Sequence, residues 1–370
     1  MTSAENIKIS VVMPIYNAIA YLHIALESVV SQTLRDIEII CVDDGSTDRS
    51  LDVLKDFQKR DDRVRIITEN NAGPSIARNK GLSRARGEYV IFLDADDFYE
   101  PTLLEKMYEC ALKDELDVVI AKFDIYNERK AKFESNISSD HSELFKDGKV
   151  VSASEFPDYI FQCTSGYVWN KLYKRSFIAD NELSFDPEVR VFEDTYFVMT
   201  SIAVANRIGK VREVLMHHRV YSEQTKNKLF KKYYKQVPEI YTKIKEFLMH
   251  RGLYIPLSQS FLNLSASRFY KIYNILWSDA KADFWNMYHD TFAERLGWRK
   301  AEPEEFESEE VRDAIASVLI YTHKQYQKLE VKGKKVKIEK VNKSISKSDK
   351  KKKIRGFFSR IFGRRKGNGK

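Results

Sequence analysis

Two aspartates, Asp94 and Asp96, directly follow the apolar run Tyr89-Val90-Ile91-Phe92-Leu93. A carboxylate pair at the end of a buried strand offers hard oxygen ligands. These suit Mg2+ or Mn2+ held jointly with the phosphates of a substrate. An acidic turn or a helix cap has the same spelling. A second acidic strand end, Asp43-Asp44-Gly45-Ser46, has the groups to accept a base N–H or a ribose hydroxyl, and equally those of a turn leading to an N-cap. The turn Asn71-Ala72-Gly73-Pro74-Ser75 opens a helix with Arg78 near its start. Helix N-termini and arginine both favour anions, although an ordinary capped surface helix reads the same way.

These groups need strand ends to carry them, and the pattern supplies them. Ile9-Ser10-Val11-Val12-Met13-Pro14 is an apolar run stopped by proline, followed by helical spacing over residues 21–32 with Leu22, Ala25, Leu26 and Val29 on one face. Ile37-Glu38-Ile39-Ile40-Cys41-Val42 is a second strand, and a helix over residues 48–59 has Ser46 or Thr47 as its N-cap. Residues 64–67 form a third strand, residues 75–85 a helix and residues 89–93 a fourth strand. Such strand–helix repeats predict an α/β fold with a parallel sheet covered on both faces. Ligands then bind beyond the carboxyl ends of the strands, where Asn17, Asp43 and Asp94 fall. Residues 127–149 are polar and read as a loop or hairpin excursion, and residues 231–327 as helical and aromatic-rich.

Charge separates the chain into two parts. Residues 331–370 hold 17 lysines and arginines against two acids, Glu339 and Asp349. That balance of +15 leaves −7 for the rest of a chain whose total is +8. An acidic globule with a basic tail is not the pattern of a nucleic-acid binder, which needs its positive charge on the folded body. Within the tail, Ile354, Phe357, Phe358, Ile361 and Phe362 share one helical face among basic residues. This predicts an amphipathic helix over 354–362 at an anionic membrane surface, with docking on the acidic body, a disordered solubilising end and nucleic-acid binding as the other readings. No run reaches the ~18 apolar residues of a membrane span. The polar start lacks a signal-peptide pattern, and the three scattered cysteines fit a reducing cytosol.

Together, Pro14-Ile15-Tyr16-Asn17, Val42-Asp43-Asp44-Gly45-Ser46-Thr47-Asp48, Asn71-Ala72-Gly73, Ala77-Arg78-Asn79-Lys80-Gly81 and Phe92-Leu93-Asp94-Ala95-Asp96-Asp97 closely resemble the family 2 glycosyltransferases in order, spacing and strand context. A looser match continues through Trp169-Asn170-Lys171-Leu172-Tyr173, Phe192-Glu193-Asp194-Thr195 and His217-His218-Arg219. The resemblance implies a GT-A fold, with a Rossmann-like, mostly parallel sheet followed by a helical C-terminal region and the basic tail. It divides the chain into a nucleotide-sugar half (1–125), an acceptor half (126–225), a helical accessory domain (226–330) and a tail (331–370).

It also implies an inverting, metal-dependent transfer from a UDP-sugar to a hydroxyl of a glycan or glycolipid. The setting is bacterial surface polysaccharide or lipid-linked glycan synthesis, at the cytoplasmic face of the cell membrane. Pro14, Tyr16, Asn17, Asp43 and Asp44 then line the nucleoside pocket. Arg78, Asn79, Asp94 and Ala95 approach the donor, and Asp96 with Asp94 holds Mn2+ or Mg2+. Asp194 is the base, Glu193 is structural or acceptor-facing, and Arg219 reaches the diphosphate from a closing loop. Trp169, with Tyr167 and Tyr173, is either a sugar platform or core. His217-His218 stands where many relatives have tyrosine; His218 either contacts metal or phosphate or, as expected of a lone histidine, packs or hydrogen-bonds structurally. Transfer to a polyprenyl phosphate, or sugar-nucleotide binding without catalysis, are the alternatives.

Overall fold

A computed structural model describes residues 7–135, 144–145, 148–221, 230 and 232–330. The basic tail and its amphipathic helix lie outside the described residues. The chain forms two compact units, the first ending at Ile240 and the second beginning at Tyr241.

The first unit is built on a nine-stranded sheet. Its opening strands are β1 (Ile9–Ile15), β2 (Ile37–Asp43), β3 (Val64–Thr68) and β4 (Tyr89–Phe92), interleaved with helices α1 (Leu22–Val30), α2 (Ser50–Arg60) and α3 (Pro74–Arg84). β1 and β2 are apolar on both faces because helices cover both, and every residue of β2 is buried. In α1 the buried residues are Leu22, Ala25, Leu26 and Val29, the face that the spacing predicts. α3 approaches β1 so closely that a Cβ on Gly81 would lie 2.3 Å from Val12 Cγ1.

After β4 come β5 (Phe98–Tyr99), α4 (Leu103–Lys113), β6 (Val118–Asn127), β7 (Lys132–Glu134), β8 (Lys171–Lys174), α5 (Arg175–Asp180), α6 (Glu193–Val204) and β9 (Ile208–Val220). The sheet runs β3-β2-β1-β4-β8-β6-β9-β5, with β7 added to β6. β1 to β4 pair in parallel, as predicted, whereas β4–β8, β6–β8, β6–β7 and β5–β9 are antiparallel. The sheet is therefore mixed, and the second half contributes the antiparallel pairs. The polar stretch after residue 127 turns through Glu128–Lys130 into β7, which is the hairpin reading.

Two local expectations are corrected. β1 does not stop at Pro14 but runs on to Ile15. Its last bond to the β4 side is Leu93 N–H to Val12 O, so by alternation the missing proline N–H falls where that neighbour has ended. The N-cap of α2 is neither Ser46 nor Thr47. Ser46 Oγ accepts Asn17 N–H and Thr47 N–H donates to Asn17 Oδ1, which leaves Asp48 to accept the Ser50 N–H.

The second unit is helical. The helices Ser258–Ile275, Ser278–Met287 and Glu309–Ile320 surround an aromatic core in which Tyr288 stacks on Trp298 at 5.0 Å. The buried Trp298 indole donates to Ser265 Oγ. Among the described residues no helix is long and apolar enough to cross a membrane.

The closeness of α3 to β1 gives a stability prediction. Val12 is fully buried and has no flexible end to swing away, so Gly81→Ala should cost about 1–3 kcal/mol. Denaturant unfolding of the variant reads this directly. An unchanged midpoint would show that α3 shifts freely on the sheet.

Candidate active site

The carboxyl ends of β1, β2 and β4 carry Asn17, Asp43 with Asp44, and the acidic turn. Asp94, Asp96 and Asp97 occupy the turn between β4 and β5, and their carboxylate oxygens lie within 4.8 Å of one another. β9 runs beside this turn, pairing Phe98 with His217. Asp97 is 1% exposed, lies 3.1 Å from His218 Nδ1 and accepts the Arg219 N–H at 2.9 Å. Asp96 accepts from the Tyr221 hydroxyl at 3.1 Å. Burial, then Asp97 and Asp94, push the Asp96 carboxyl up to about 6, against the opposing effects of His218 and Tyr221. Three crowded carboxylates made of hard oxygen donors fit a divalent cation, which would relieve the repulsion that raises Asp96.

Facing this turn is a buried ion cluster. Arg78, on α3 and 4% exposed, places Nη2 3.0 Å from Asp94 Oδ1. Its Nη1 lies 3.1 Å from Glu193 Oε1 and 2.9 Å from Asp194 Oδ1. Glu193 and Asp194 form the first turn of α6, after Phe192 in the left-handed region (φ 54°). Burial disfavours the Arg78 charge, but Asp194, Asp94 and Glu193 outweigh it and raise its pKa. The Asp194 carboxyl is pushed up to about 7, first by burial and then by Glu193 and Asp94; Arg78 and the Val168 N–H act the other way. One guanidinium shared by three acids cannot neutralise them all, so the most buried acid holds its proton more tightly.

Asp194 has a second support. Its Oδ2 accepts the Val168 N–H at 3.2 Å, from the loop that enters β8. That loop is closed by Lys171, a fully buried lysine whose Nζ donates to the carbonyls of Ser165 and Tyr167 and to Asn170 Oδ1. Asn170 Nδ2 ties the loop to Ala121 O on β6.

The other predicted residues divide into those that face the site and those that build it. Tyr16 is half exposed, Pro14 is half-buried at the end of β1, and Ala95 is buried in the acidic turn. Asn17, at φ 49°, spends its side-chain oxygen on Thr47 and Asp48 and so locks the β1 and β2 ends together. Asp43 is buried at the end of β2. Asp44 accepts the N–H groups of Ala72 and Gly73 at 2.7 and 2.8 Å, shaping the loop before α3. The Asn79 amide both donates to and accepts from the Phe185 backbone. Its groups are thus committed away from a nucleotide.

One expectation is overturned, and one pair of alternatives is decided. Arg219 does not sit on a closing loop: β9 extends to Val220, and Arg219 is buried in it. Its guanidinium lies 4.7–5.3 Å from the ring centroids of Tyr21, Phe98 and Tyr126, with Nε on Asp96 O. Trp169 is core rather than a sugar platform, at 2% exposure, with His218 and Tyr167 stacked against it at 5.1 Å each. Tyr167, 43% exposed, is the open ring of the group. His217 lies between Asp124 and Glu100 and stacks on Phe98. Sequence reasoning missed Tyr221 and the roles of Asp97 and Lys171. The signal for Lys171 was present in Trp169-Asn170-Lys171-Leu172-Tyr173, but spacing alone does not reveal a buried ammonium.

This geometry, an acidic turn after the fourth strand opposite an acid at a helix start, stands on a fold with known relatives. The glycosyl transferase family 2 model matches residues 10–172. EpsH of Bacillus subtilis, which is named as a glycosyltransferase, is 33% identical over 251 residues, 67% of this chain and 71% of EpsH. The poly(ribitol-phosphate) beta-glucosyltransferase of Bacillus spizizenii is 34% identical over 210 residues, 55% of this chain and 30% of that protein. Among solved structures, residues 1–349 of S. aureus TarS in complex with UDP-GlcNAc share the fold with a TM-score of 0.69 at 21% identity. The match covers 88% of this chain and 92% of TarS 1–349. The fold is thus GT-A, and the chain belongs to glycosyltransferase family 2. It is a transferase enzyme.

Removing Arg78 should expose the frustration it conceals. Arg78→Met strands three acids in the interior, a loss of about 3–5 kcal/mol for a broken buried pair. Adding Asp194→Asn should recover part of that loss. The deficit should also shrink as pH falls, since a protonated carboxyl needs no cation. Denaturation at pH 5 and pH 8 tests both points, and a deficit that ignores pH and Asp194 would refute the shared-charge reading.

Proposed function

We propose that this enzyme transfers a sugar, with inversion, from a UDP-sugar to a hydroxyl of a glycan or glycolipid in surface-polysaccharide or lipid-linked glycan synthesis. The observation that carries the proposal is Arg78 bridging Asp94 of the acidic turn and Asp194 at the start of α6. One residue thereby fixes the proposed donor end against the proposed base.

In this reading the strand ends around Pro14, Tyr16 and Asp43 take the nucleoside. Asn17 and Asp44 hold the two loops that shape its pocket. Asp96 and Asp94 hold Mn2+ or Mg2+, which when bound offsets the charge of the leaving diphosphate. Asp194 accepts the proton of the acceptor hydroxyl as that oxygen attacks the anomeric carbon. Its carboxyl, pushed up to about 7, is matched to a proton transfer near neutral pH. Arg78 and the Val168 N–H fix its direction. Glu193, also on Arg78, orients that guanidinium. A single carboxylate base without a carboxylate nucleophile gives a β-linked product from an α-linked donor.

Residues 1–125 supply the donor half in this proposal and 126–225 the acceptor half. Residues 226–330 form the accessory region, and the tail 331–370 meets an anionic membrane at its cytoplasmic side. The poly(ribitol-phosphate) glucosyltransferase similarity supports a surface-polymer acceptor, and the UDP-GlcNAc complex of TarS supports a UDP-linked donor.

Two measurements test this. Asp194→Asn removes proton acceptance with little change of shape, and should lower transfer by about 10²–10⁴-fold while UDP binding persists. Native transfer should fall as pH drops through about 7, because the base must be ionised. Near-native turnover of the variant would move the base elsewhere, or point to an acceptor already ionised as a phosphate. Calorimetric UDP binding should need a divalent cation and be weakened by Asp96→Ala. Chelator-insensitive binding would remove the cation from the site.

A further inference from the structure

The second unit contains a cavity of about 510 Å³ that the chemistry above does not use. It opens where three helices converge, Ser258–Ile275, Ser278–Met287 and His323–Glu330. Its volume falls within the roughly 300–1,000 Å³ of small-ligand pockets. Four aromatic side chains line it: Tyr270 and Tyr273 from the first helix, Trp285 from the second and Tyr326 from the third. Trp285 and Tyr326 are stacked at 4.3 Å and 26°. The Trp285 indole N–H is spent on Tyr321 O, so the tryptophan contributes only its ring to the wall. The Tyr273 hydroxyl and His323 Nε2 are paired at 3.1 Å, which fixes the two sides of the floor.

The polar lining has a definite chemistry. Asn274 and Gln327 are exposed amides at the edge, and Lys281 places its ammonium 5.1 Å from the Tyr273 ring. Among the described residues that line it there is no carboxylate. A metal or a cationic ligand therefore finds no counter-charge there. A flat, C–H-rich ring carrying hydroxyls finds what it needs: aromatic faces for the ring, amides able to donate and accept, and one ammonium donor. The aromatic residues are also more than packing. Tyr273 and Trp285 are packed against Phe269 and each other and so anchor the wall rigidly, while Tyr270 and Tyr326 stay half-buried at the opening with ring surface turned to it.

We propose that this cavity binds a short neutral or anionic glycan segment, and so gives the enzyme a carbohydrate-holding site built wholly from its helical unit. The choice of a glycan rests on the proposed function, in which the acceptor is itself a glycan. The site serves to hold acceptor sugars other than the one that reacts. The chain's own basic tail is a poor occupant, since Lys281 and His323 line the cavity without an acid to receive it.

The test is calorimetric titration of the full-length protein with UDP and Mg2+ present, so that the donor site is already occupied. Chitotetraose and maltotetraose serve as neutral probes and tetragalacturonate as the anionic one. At least one probe should bind. Tyr326→Ala, and separately the exposed pair Asn274→Ala with Gln327→Ala, should weaken that binding about tenfold or more. UDP-sugar hydrolysis should stay at the native level in both variants. The proposal is overturned if none of the three probes binds, or if both variants bind as the native protein does. It is also overturned if binding appears only after residues 331–370 are removed, which would give the cavity to the tail. Loss of hydrolysis in the native protein would count against the proposed function alone, because the titration reads the cavity independently.

Discussion

One guanidinium inside the first unit is claimed by three carboxylates. Arg78 lies within 3.1 Å of acids from two separate elements, Asp94 after β4 and the Glu193–Asp194 pair that opens α6. A buried arginine with a single acid would be a self-contained ion pair. With three, the cluster is short of positive charge, and low dielectric makes the shortage costly. The fold accepts that cost by raising the proton affinity of Asp194 rather than by expelling an acid. The proposed base and the acidic turn are thereby coupled, since whatever engages Asp94 changes how much of Arg78 remains for Asp194.

The antiparallel half of the mixed sheet supports the acidic turn. The four parallel strands alone would end in acidic loops with no opposing wall. β5 and β9 add an antiparallel pair beside the Asp94–Asp97 turn, and β9 delivers His218 and the Arg219 N–H to Asp97. Asp97 is thus spent on holding the turn, while Asp94 and Asp96 remain half-buried at its mouth. The Arg219 side chain, caged by three rings and bonded to Asp96 O, stiffens the same turn from the other side. On the α6 side, the loop closed by Lys171 sets the Val168 N–H against Asp194. Both ends of the proposed reaction are fixed by elements from the second half of the unit.

What the sequence disclosed follows from the range of each signal. Apolar periodicity is local, so β1 to β4 and the buried face of α1 were legible to within a residue or two. Short motifs at strand ends were legible because the ends of buried strands are where polar residues stand out. The partners of those motifs were not. That Asp44 would be consumed by the Ala72 and Gly73 N–H groups, or Asn79 by Phe185, depends on chain segments meeting across 28 to 106 residues. Arg219 was expected on a loop because the resemblance implied one there, and nothing local in His217-His218-Arg219 tells that β9 runs on beside β6 as far as Val220. Trp169 carried a signal of aromatic richness that cannot separate a sugar platform from core, and only its 2% exposure decides. Tyr221 carried no local signal of its role, and the motif around Lys171 marked the segment without disclosing a buried ammonium.

The central claim is that Asp194, buried and sharing Arg78 with two other acids, holds its proton far above the ordinary aspartate range. The most direct measurement is an infrared titration of the carboxyl bands of the native protein, differenced against Asp194→Asn. The claim predicts one carboxyl that protonates near 7 and is missing from the variant. A difference spectrum in which Asp194 titrates near the ordinary aspartate value of about 3.9 would contradict it.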